Sequence, residues 1–201
     1  MKIAICGRSP GTQSQAPWKD NTWQKWGLPW DAGYWAEMDR FFEMHPRDEL
    51  EKPEADRPSD YWEKLQEVID WGPIYMQQEW PDIPRSVAYP LKEVNDDVFK
   101  DFPRAAWDDQ KDWYNSSPAY MLALAMYEHA DVIGLWGIDC GQEGEYAYEN
   151  PNLAFLIGLA IGRGIEVILP QGPTNLLKHH GTDIPFGTKT LTYPRRYGYL
   201  A

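Results

Sequence analysis

Apolar positions along this chain come in two arrangements. Short unbroken runs end at glycine or proline, and longer stretches repeat their apolar residues at helical intervals. Lys2–Cys6 is a run of the first kind, closed by Gly7, and predicts a short buried strand. Arg8-Ser9-Pro10-Gly11 then turns the chain. Residues 21–30 alternate and predict a second strand; residues 32–38 read as helical. Residues 40–45 read as a strand stopped by Pro46, and 47–58, charged and bounded by prolines, as a loop. Ser59 followed by Trp62, Leu65, Val68 and Ile69 predicts a capped amphipathic helix, with Glu63 near the capping-box position. Ile74–Met76 reads as a short strand. Residues 80–90 carry three prolines and read as loop, with a strand possible in composition at 87–89.

The second half is more regular. Ser117-Pro118 starts a helix, with Ser117 as N-cap and Pro118 at the first helical position, and 119–129 are rich in Ala, Leu and Met. Residues 131–136 predict a strand with Gly137-Ile138-Asp139 at its C-terminal end. Asn150-Pro151 opens a further helix that Gly162 and Gly164 end, and 165–169 form a strand stopped by Pro170. Helices and strands alternating over short links specify an α/β, Rossmann-like fold: a mostly parallel sheet flanked by helices. The whole of 1–201 reads as one such domain, with 171–201 as a basic extension. Ligands of such sheets bind outside the C-terminal ends of the strands. Residues just after a strand are therefore site candidates, and residues within elements are core candidates.

Three groups meet that condition, and a helix start adds a fourth candidate. Gly7, Arg8, Ser9 and Gly11 follow the first strand; glycine admits close backbone approach, successive N–H groups can cradle a phosphate, and Arg8 adds charge. A plain turn is the competing reading. Asn115, Ser116 and Ser117 place hydroxyls at a helix start, where unsatisfied N–H groups favour an anion or a ribose; a simple N-cap is the alternative. Gly137 and Asp139 stand at a strand end, where a carboxylate accepts ribose hydroxyls, and Glu143 and Glu145 follow in a Gly-rich loop as carboxylates able to act as base or nucleophile. Glu143 reads equally as a solvated acid. His45 offers a general base tunable near neutral pH, or a structural imidazole. His179 and His180 stand near Lys178 in the basic tail, as phosphate contacts or as surface.

Composition narrows the class. At 43% hydrophobic and 25% charged over 201 residues, the chain is an ordinary globular protein, which excludes global disorder, collagen and a disulfide mini-scaffold. The net charge of −12 disfavours a nucleic-acid partner, nucleic acid as acceptor included. From Pro151 onward the charge is +3, which leaves −15 on the first 150 residues; that tail suits an anionic ligand or is an ordinary solvated surface. Cys6 and Cys140 cannot build a framework and read as reduced thiols of a cytoplasmic protein. The apolar tract 152–161 is too short to cross a bilayer, so no membrane partner is expected. No DxD, HExxH or paired CxxC occurs, and no metal or cofactor is expected beyond a nucleotide or nucleotide-sugar as substrate. Five of the 11 Trp (Trp18, Trp23, Trp26, Trp30, Trp35) lie within eighteen residues, to pack in the core or to stack on a base or sugar.

Longer segments carry a resemblance. Tyr114-Asn115-Ser116-Ser117-Pro118-Ala119-Tyr120-Met121-Leu122-Ala123-Leu124-Ala125, Ile133-Gly134-Leu135-Trp136-Gly137-Ile138-Asp139 and Glu145-Tyr146-Ala147-Tyr148 resemble a group of phage-encoded proteins. With the opening Ile5-Cys6-Gly7-Arg8-Ser9-Pro10, they are also similar in plan to bacterial sialyltransferases of the Campylobacter type and to 6-hydroxymethylpterin pyrophosphokinase-like proteins. The resemblance implies a Rossmann-like sheet that binds a nucleotide, with Gly7, Ser9, Ser117, Gly137 and Asp139 as contacts. Arg8 and Gly11 depart from the Asn and Ser of the sialyltransferase turn, and their later His-containing segment has no counterpart here.

Together these readings lead to a metal-independent, nucleotide-sugar-dependent glycosyltransferase-like enzyme of phage origin, working in the host cytoplasm, with modified phage DNA as one conceivable acceptor. His45, Asp139 and Glu145 are its expected catalytic residues. A nucleoside deoxyribosyltransferase or nucleosidase using a carboxylate is the second reading. A non-catalytic protein that sequesters a nucleotide signal or binds a host protein is the third.

Overall fold

Four strands step away from the N-terminal strand in one direction, and the chain then doubles back to lay two more on its other side. These are β1 (Lys2–Cys6), β2 (Trp23–Gly27), β3 (Arg40–Phe42), β4 (Ile74–Met76), β5 (Ser86–Ala88), β6 (Val132–Trp136) and β7 (Glu166–Ile168). They form one sheet in the order β5-β4-β3-β2-β1-β6-β7, and every pairing is parallel. The computed structural model describes residues 1–29, 36–51, 71–102, 113–138 and 145–170, with Tyr61, Glu63, Leu65, Leu176, 184–186 and 189–191. Helices α1 (Pro10–Gln13), α2 (Arg47–Leu50), α3 (Leu91–Val98), α4 (Ser117–Tyr127) and α5 (Glu145–Gly162) connect the strands. The expected α/β, Rossmann-like class is therefore observed, with the sheet wholly parallel. An antiparallel pair, β8 (Ile184–Phe186) and β9 (Lys189–Leu191), stands outside the main sheet and has no counterpart in the sequence pattern.

Parallel strands need crossovers, and the crossovers decide what is buried. Ile3, Ala4, Ile5 and Cys6 of β1 are shielded from solvent on both sheet faces. Helix α4 packs on β1 between α3 and α5 and buries every residue from 119 to 126. A helix enclosed all round has no polar stripe, which is why its sequence is uniformly rich in Ala, Leu and Met. Arg163, just after α5, ties that helix to α3: its guanidinium donates to Asp97 Oδ2 (2.9 Å), to the Val98 carbonyl (3.0 Å) and to the Asp97 carbonyl.

Two helices end with the same device before entering a strand. After α4, Ala130 N–H donates to the Ala125 carbonyl and His129 N–H to that of Met126; after α5, Ile165 N–H reaches Ala160 and Gly164 N–H reaches Ile161. Both are Schellman caps, which require a left-handed residue at the turn. Gly164 takes φ +82° without strain, whereas His129 takes φ 58° despite its Cβ.

Several boundaries differ from the pattern. Helix α5 begins at Glu145, not Asn150, and runs through Pro151, which is exposed; proline removes one hydrogen bond, and the turns on either side carry the helix across. Helix α2 lies inside the stretch read as loop. It is held by Arg47, whose guanidinium bonds Glu51 (2.6 Å) and both carboxylate oxygens of Asp82 (2.8 and 2.6 Å) and lies over the Trp80 ring. Helix α3 was not legible as a separate element, although Val94 and Val98 form its buried side with Asn95. Strand β3 stops at Phe42, three residues short of the expected end. Ala36 and Glu37 form a 3₁₀ turn and Tyr61, Glu63 and Leu65 are helical; the rest of the helices read over 32–38 and 59–69 lies outside the described residues, apart from Met38. Among the described residues no helix is long and apolar enough to cross a membrane.

The seam between β1 and β6 ends in a backbone contact. A Cβ on Gly7 would stand 2.5 Å from the Gly137 carbonyl oxygen, and one on Gly137 would stand 2.2 Å from that of Gly7. Gly137 also has φ +67°. We expect Gly137→Ala to destabilise the fold by more than about 2 kcal/mol, from the backbone clash and the left-handed conformation together. By contrast, His129→Gly should stabilise it by about 1 kcal/mol, roughly 2–4 °C in Tm, and Gly164→Ala should lower Tm by a similar amount. Thermal unfolding followed by circular dichroism reads all three.

Candidate functional site

The chain reverses its lateral direction between β1 and β6, and this switch point is where an open parallel sheet forms its ligand crevice. Gly7 and Gly137 mark its C-terminal rim. Their amides are used by the protein itself. Gly7 N–H donates to the Trp136 carbonyl (2.7 Å), Ser9 N–H to the Gly137 carbonyl (2.7 Å), and Gly137 N–H to Thr12 Oγ1 (2.9 Å) on a fully buried threonine. The glycine turn therefore contributes close approach and shape, while those three N–H groups are not available to cradle a phosphate. Arg8 and Gly11 are exposed beside it. Ser9 is the N-cap of α1, and its side chain makes no cap bond.

The start of α4 reaches the same rim. Only His129 and its neighbours separate α4 from β6, so the helix runs antiparallel to the sheet and its first residues stand at the strands' C-terminal edge. The N-cap is Ser116, with φ −159° and ψ 152°, and Ser117 is the first helical residue. This corrects the expected cap at Ser117. The Ser116 carbonyl accepts from Ala119 (2.9 Å) and Tyr120 (3.3 Å), yet its hydroxyl caps nothing and is a buried oxygen without a hydrogen-bond partner. Asn115 precedes it, exposed.

A third element arrives from β3. The ladder pairs Cys6 with Gly27 and Gly27 with Phe41, which places His45 four residues beyond the level where β1 ends. His45 Nδ1 lies 2.5 Å from Glu43 Oε1, and the same oxygen accepts the His45 backbone N–H at 3.1 Å. The segment is clamped to β4 and the residue that follows it. Glu43 N–H donates to the Tyr75 carbonyl (2.9 Å), and Gln77 Nε2 to the Met44 carbonyl (2.9 Å). Immediately after it, the Arg47 guanidinium holds the Asp82 carboxyl below the usual range, chiefly through its hydrogen bonds. Glu43 was not singled out in the sequence; the available signal was an acidic residue two positions before a histidine, directly after the apolar pair Phe41-Phe42.

Glu145 is the first residue of α5 rather than part of a loop, and Asp139, Glu143, His179 and His180 lie outside the described residues. The tryptophans resolve mostly as packing. Trp26 is fully buried against Phe42, Trp23 meets Trp136 edge-to-face at 5.5 Å between centroids, and Trp18 Nε1 donates to the Gln13 carbonyl at 3.0 Å. Trp30 and Trp35 lie outside the described residues. A shallow cavity of about 520 Å³ follows α1, lined by Ser14, Ala16, Pro17, Trp18, Lys19 and Asp20. No group of three His, Cys, Asp or Glu side chains converges in metal-binding geometry among the described residues.

No protein-family model matches the chain, and no curated protein matches it in sequence. Solved structures do share its fold. It is similar to a point mutant of the α-2,3/8-sialyltransferase CstII, with a TM-score of 0.54 at 15% identity over 88% of this chain and 83% of that one. It is also similar to CstII from Campylobacter jejuni in complex with the substrate analogue CMP-3FNeuAc, with a TM-score of 0.52 at 15% identity over 88% of this chain and 82% of that one. At such identity the likeness establishes a common fold: the chain is built on the same Rossmann-like plan as these sialyltransferases.

Proposed function

We propose that this chain is a nucleotide-sugar-dependent glycosyltransferase-like enzyme that binds its donor at the β1/β6 switch point. One observation carries the reading. Two serines, Ser9 and Ser116, occupy helix N-cap positions at the C-terminal rim of the sheet, and neither side chain caps its helix. An N-cap serine ordinarily bonds the N–H of the second or third helical residue. A buried hydroxyl left without a partner costs about 1–3 kcal/mol, which a polar ligand recovers by bonding to it. The first turn of α4 adds N–H groups and the positive end of an eleven-residue helix, which favour a phosphate. The fold shared with a sialyltransferase solved with a CMP-sugar analogue supports the same class of donor.

In this reading Ser116, Ser117 and Asn115 hold the nucleotide, Ser9 and Arg8 face its phosphate, and Gly7 and Gly137 let the ligand approach the sheet edge. Asp139 is assigned to the ribose. His45 is the general base. An acceptor hydroxyl attacks the anomeric carbon, its proton passes to His45 Nε2, and the carbon–oxygen bond to phosphate breaks as the nucleotide leaves with that bonding pair. A phage source and a nucleic-acid acceptor remain expectations of the resemblance, and the charge of −12 favours a smaller acceptor.

Purified protein incubated with CMP-, UDP- and GDP-sugars should consume one donor, read as released nucleotide by chromatography; binding of no nucleotide at all overturns the reading. Ser116→Ala should weaken nucleotide binding about tenfold, or about 1.4 kcal/mol, by titration calorimetry. His45→Ala should lower kcat by about 10²–10⁴-fold and leave nucleotide affinity unchanged. Release of free base from a nucleoside, lost in Glu145→Ala, would instead establish the nucleosidase reading.

A further inference from the structure

The described residues hold four buried polar or charged side chains, and only one of them touches a histidine. Lys25 and Thr12 sit in β2 and α1, and Asn95 bonds the Tyr114 hydroxyl at 2.7 Å within the helical layer. Glu43 is different. Its side chain is 2% exposed, it lies at the sheet edge where ligands bind, and Oε1 is directed at its own neighbour two residues on. Burying a carboxylate is costly unless strong donors meet it. Here both contacts to Oε1 come from one residue, His45: its backbone N–H donates, and its ring Nδ1 lies 2.5 Å away.

We propose that Glu43 is the positioning residue for His45, forming with it a Glu–His dyad that fixes the imidazole as the Nδ1–H tautomer; its catalytic use rests on the reading of His45 as general base. The tautomer follows from the shared oxygen. A backbone N–H is an obligatory donor, so Oε1 is an acceptor, and the Nδ1 contact at 2.5 Å is satisfied when Nδ1 carries the proton. Nε2 is then the lone-pair nitrogen, on a ring that is 40% exposed while its partner carboxylate is covered. A carboxylate on the inner nitrogen also stabilises the imidazolium formed when Nε2 takes a proton. The frame is rigid. Glu43 is pinned by the Tyr75 carbonyl, Met44 by Gln77, and the chain is turned by Pro46. No bond forms or breaks at Glu43 in this role; it holds a proton on Nδ1 while His45 exchanges one at Nε2.

Long-range proton–nitrogen NMR of the intact ¹⁵N-histidine-labelled chain reads the tautomer directly. Wild type should show His45 protonated on Nδ1 with Nε2 unprotonated at high pH, and Glu43→Ala, which removes the accepting oxygen, should lose that preference. An Nε2–H tautomer in wild type overturns the proposal, as does an unchanged Nδ1–H tautomer in Glu43→Ala. Where a sugar donor is consumed, Glu43→Gln should lower kcat on the order of 10²–10⁴-fold with KM nearly unchanged. Glu43→Asp should recover part of that loss, and equal losses in both variants would overturn the positioning role. Should the Glu43 variants fail to fold by circular dichroism, the wild-type tautomer decides alone. Should no donor be consumed, the transferase reading fails while the tautomer still tests the dyad.

Discussion

Two backbones meet where β1 and β6 end, and no side chain fits between them. Gly7 and Gly137 each occupy the space the other's Cβ would need. That contact extends the parallel pairing past the last strand residues, through Gly7 to Trp136 and Ser9 to Gly137, and it draws Thr12 in to bond the Gly137 amide. Helix α1 is thereby fixed against the seam, and with it the position of Ser9. In the proposed donor site the glycine rim supplies shape, and hydrogen bonding to the donor falls to side chains and to the start of α4.

Helix α4 is the second determinant of the site. It is enclosed between the sheet and two other helices, so apolar burial along its whole length sets its position. Its C-terminal end is closed by the His129 turn, and its N-terminal end is left open at the sheet edge with Ser116 uncapped. A helix held this firmly by its body can leave its first turn unsatisfied toward solvent or ligand. The His45 segment follows the same logic. Phe41 and Phe42 anchor β3 in the core, and the chain beyond them is clamped to β4 rather than released as a loop.

Much of the sheet was legible from residue pattern. Six of the strands in the main sheet are runs that end in Gly, Pro or a charged turn, and the ends of β1 and β6 mark candidate residues because a parallel sheet binds ligands there. Less visible were α3, whose apolar residues are outnumbered by polar ones, and α5 before Pro151, where proline reads as a start. The tryptophan-rich segment shows the limit most plainly. A buried Trp26 and a ligand-facing tryptophan have the same signature in a linear sequence, because only neighbours distant along the chain, such as Phe42, decide the environment.

The alternation of strand-length and helix-length apolar runs was enough to specify the class of fold, and it marked the glycines and serines at the rim as candidate site positions. It could not assign them roles. Whether Gly7 and Gly137 offer amides or only closeness depends on a register between strands 130 residues apart. Whether Ser116 or Ser117 caps α4 depends on where packing stops the helix. The partnership of Glu43 with His45 joins residues only two apart, yet it was decided by tertiary structure. A carboxylate turns inward to a histidine only when the sheet edge buries it, and burial is a property of the assembled layers rather than of the residue.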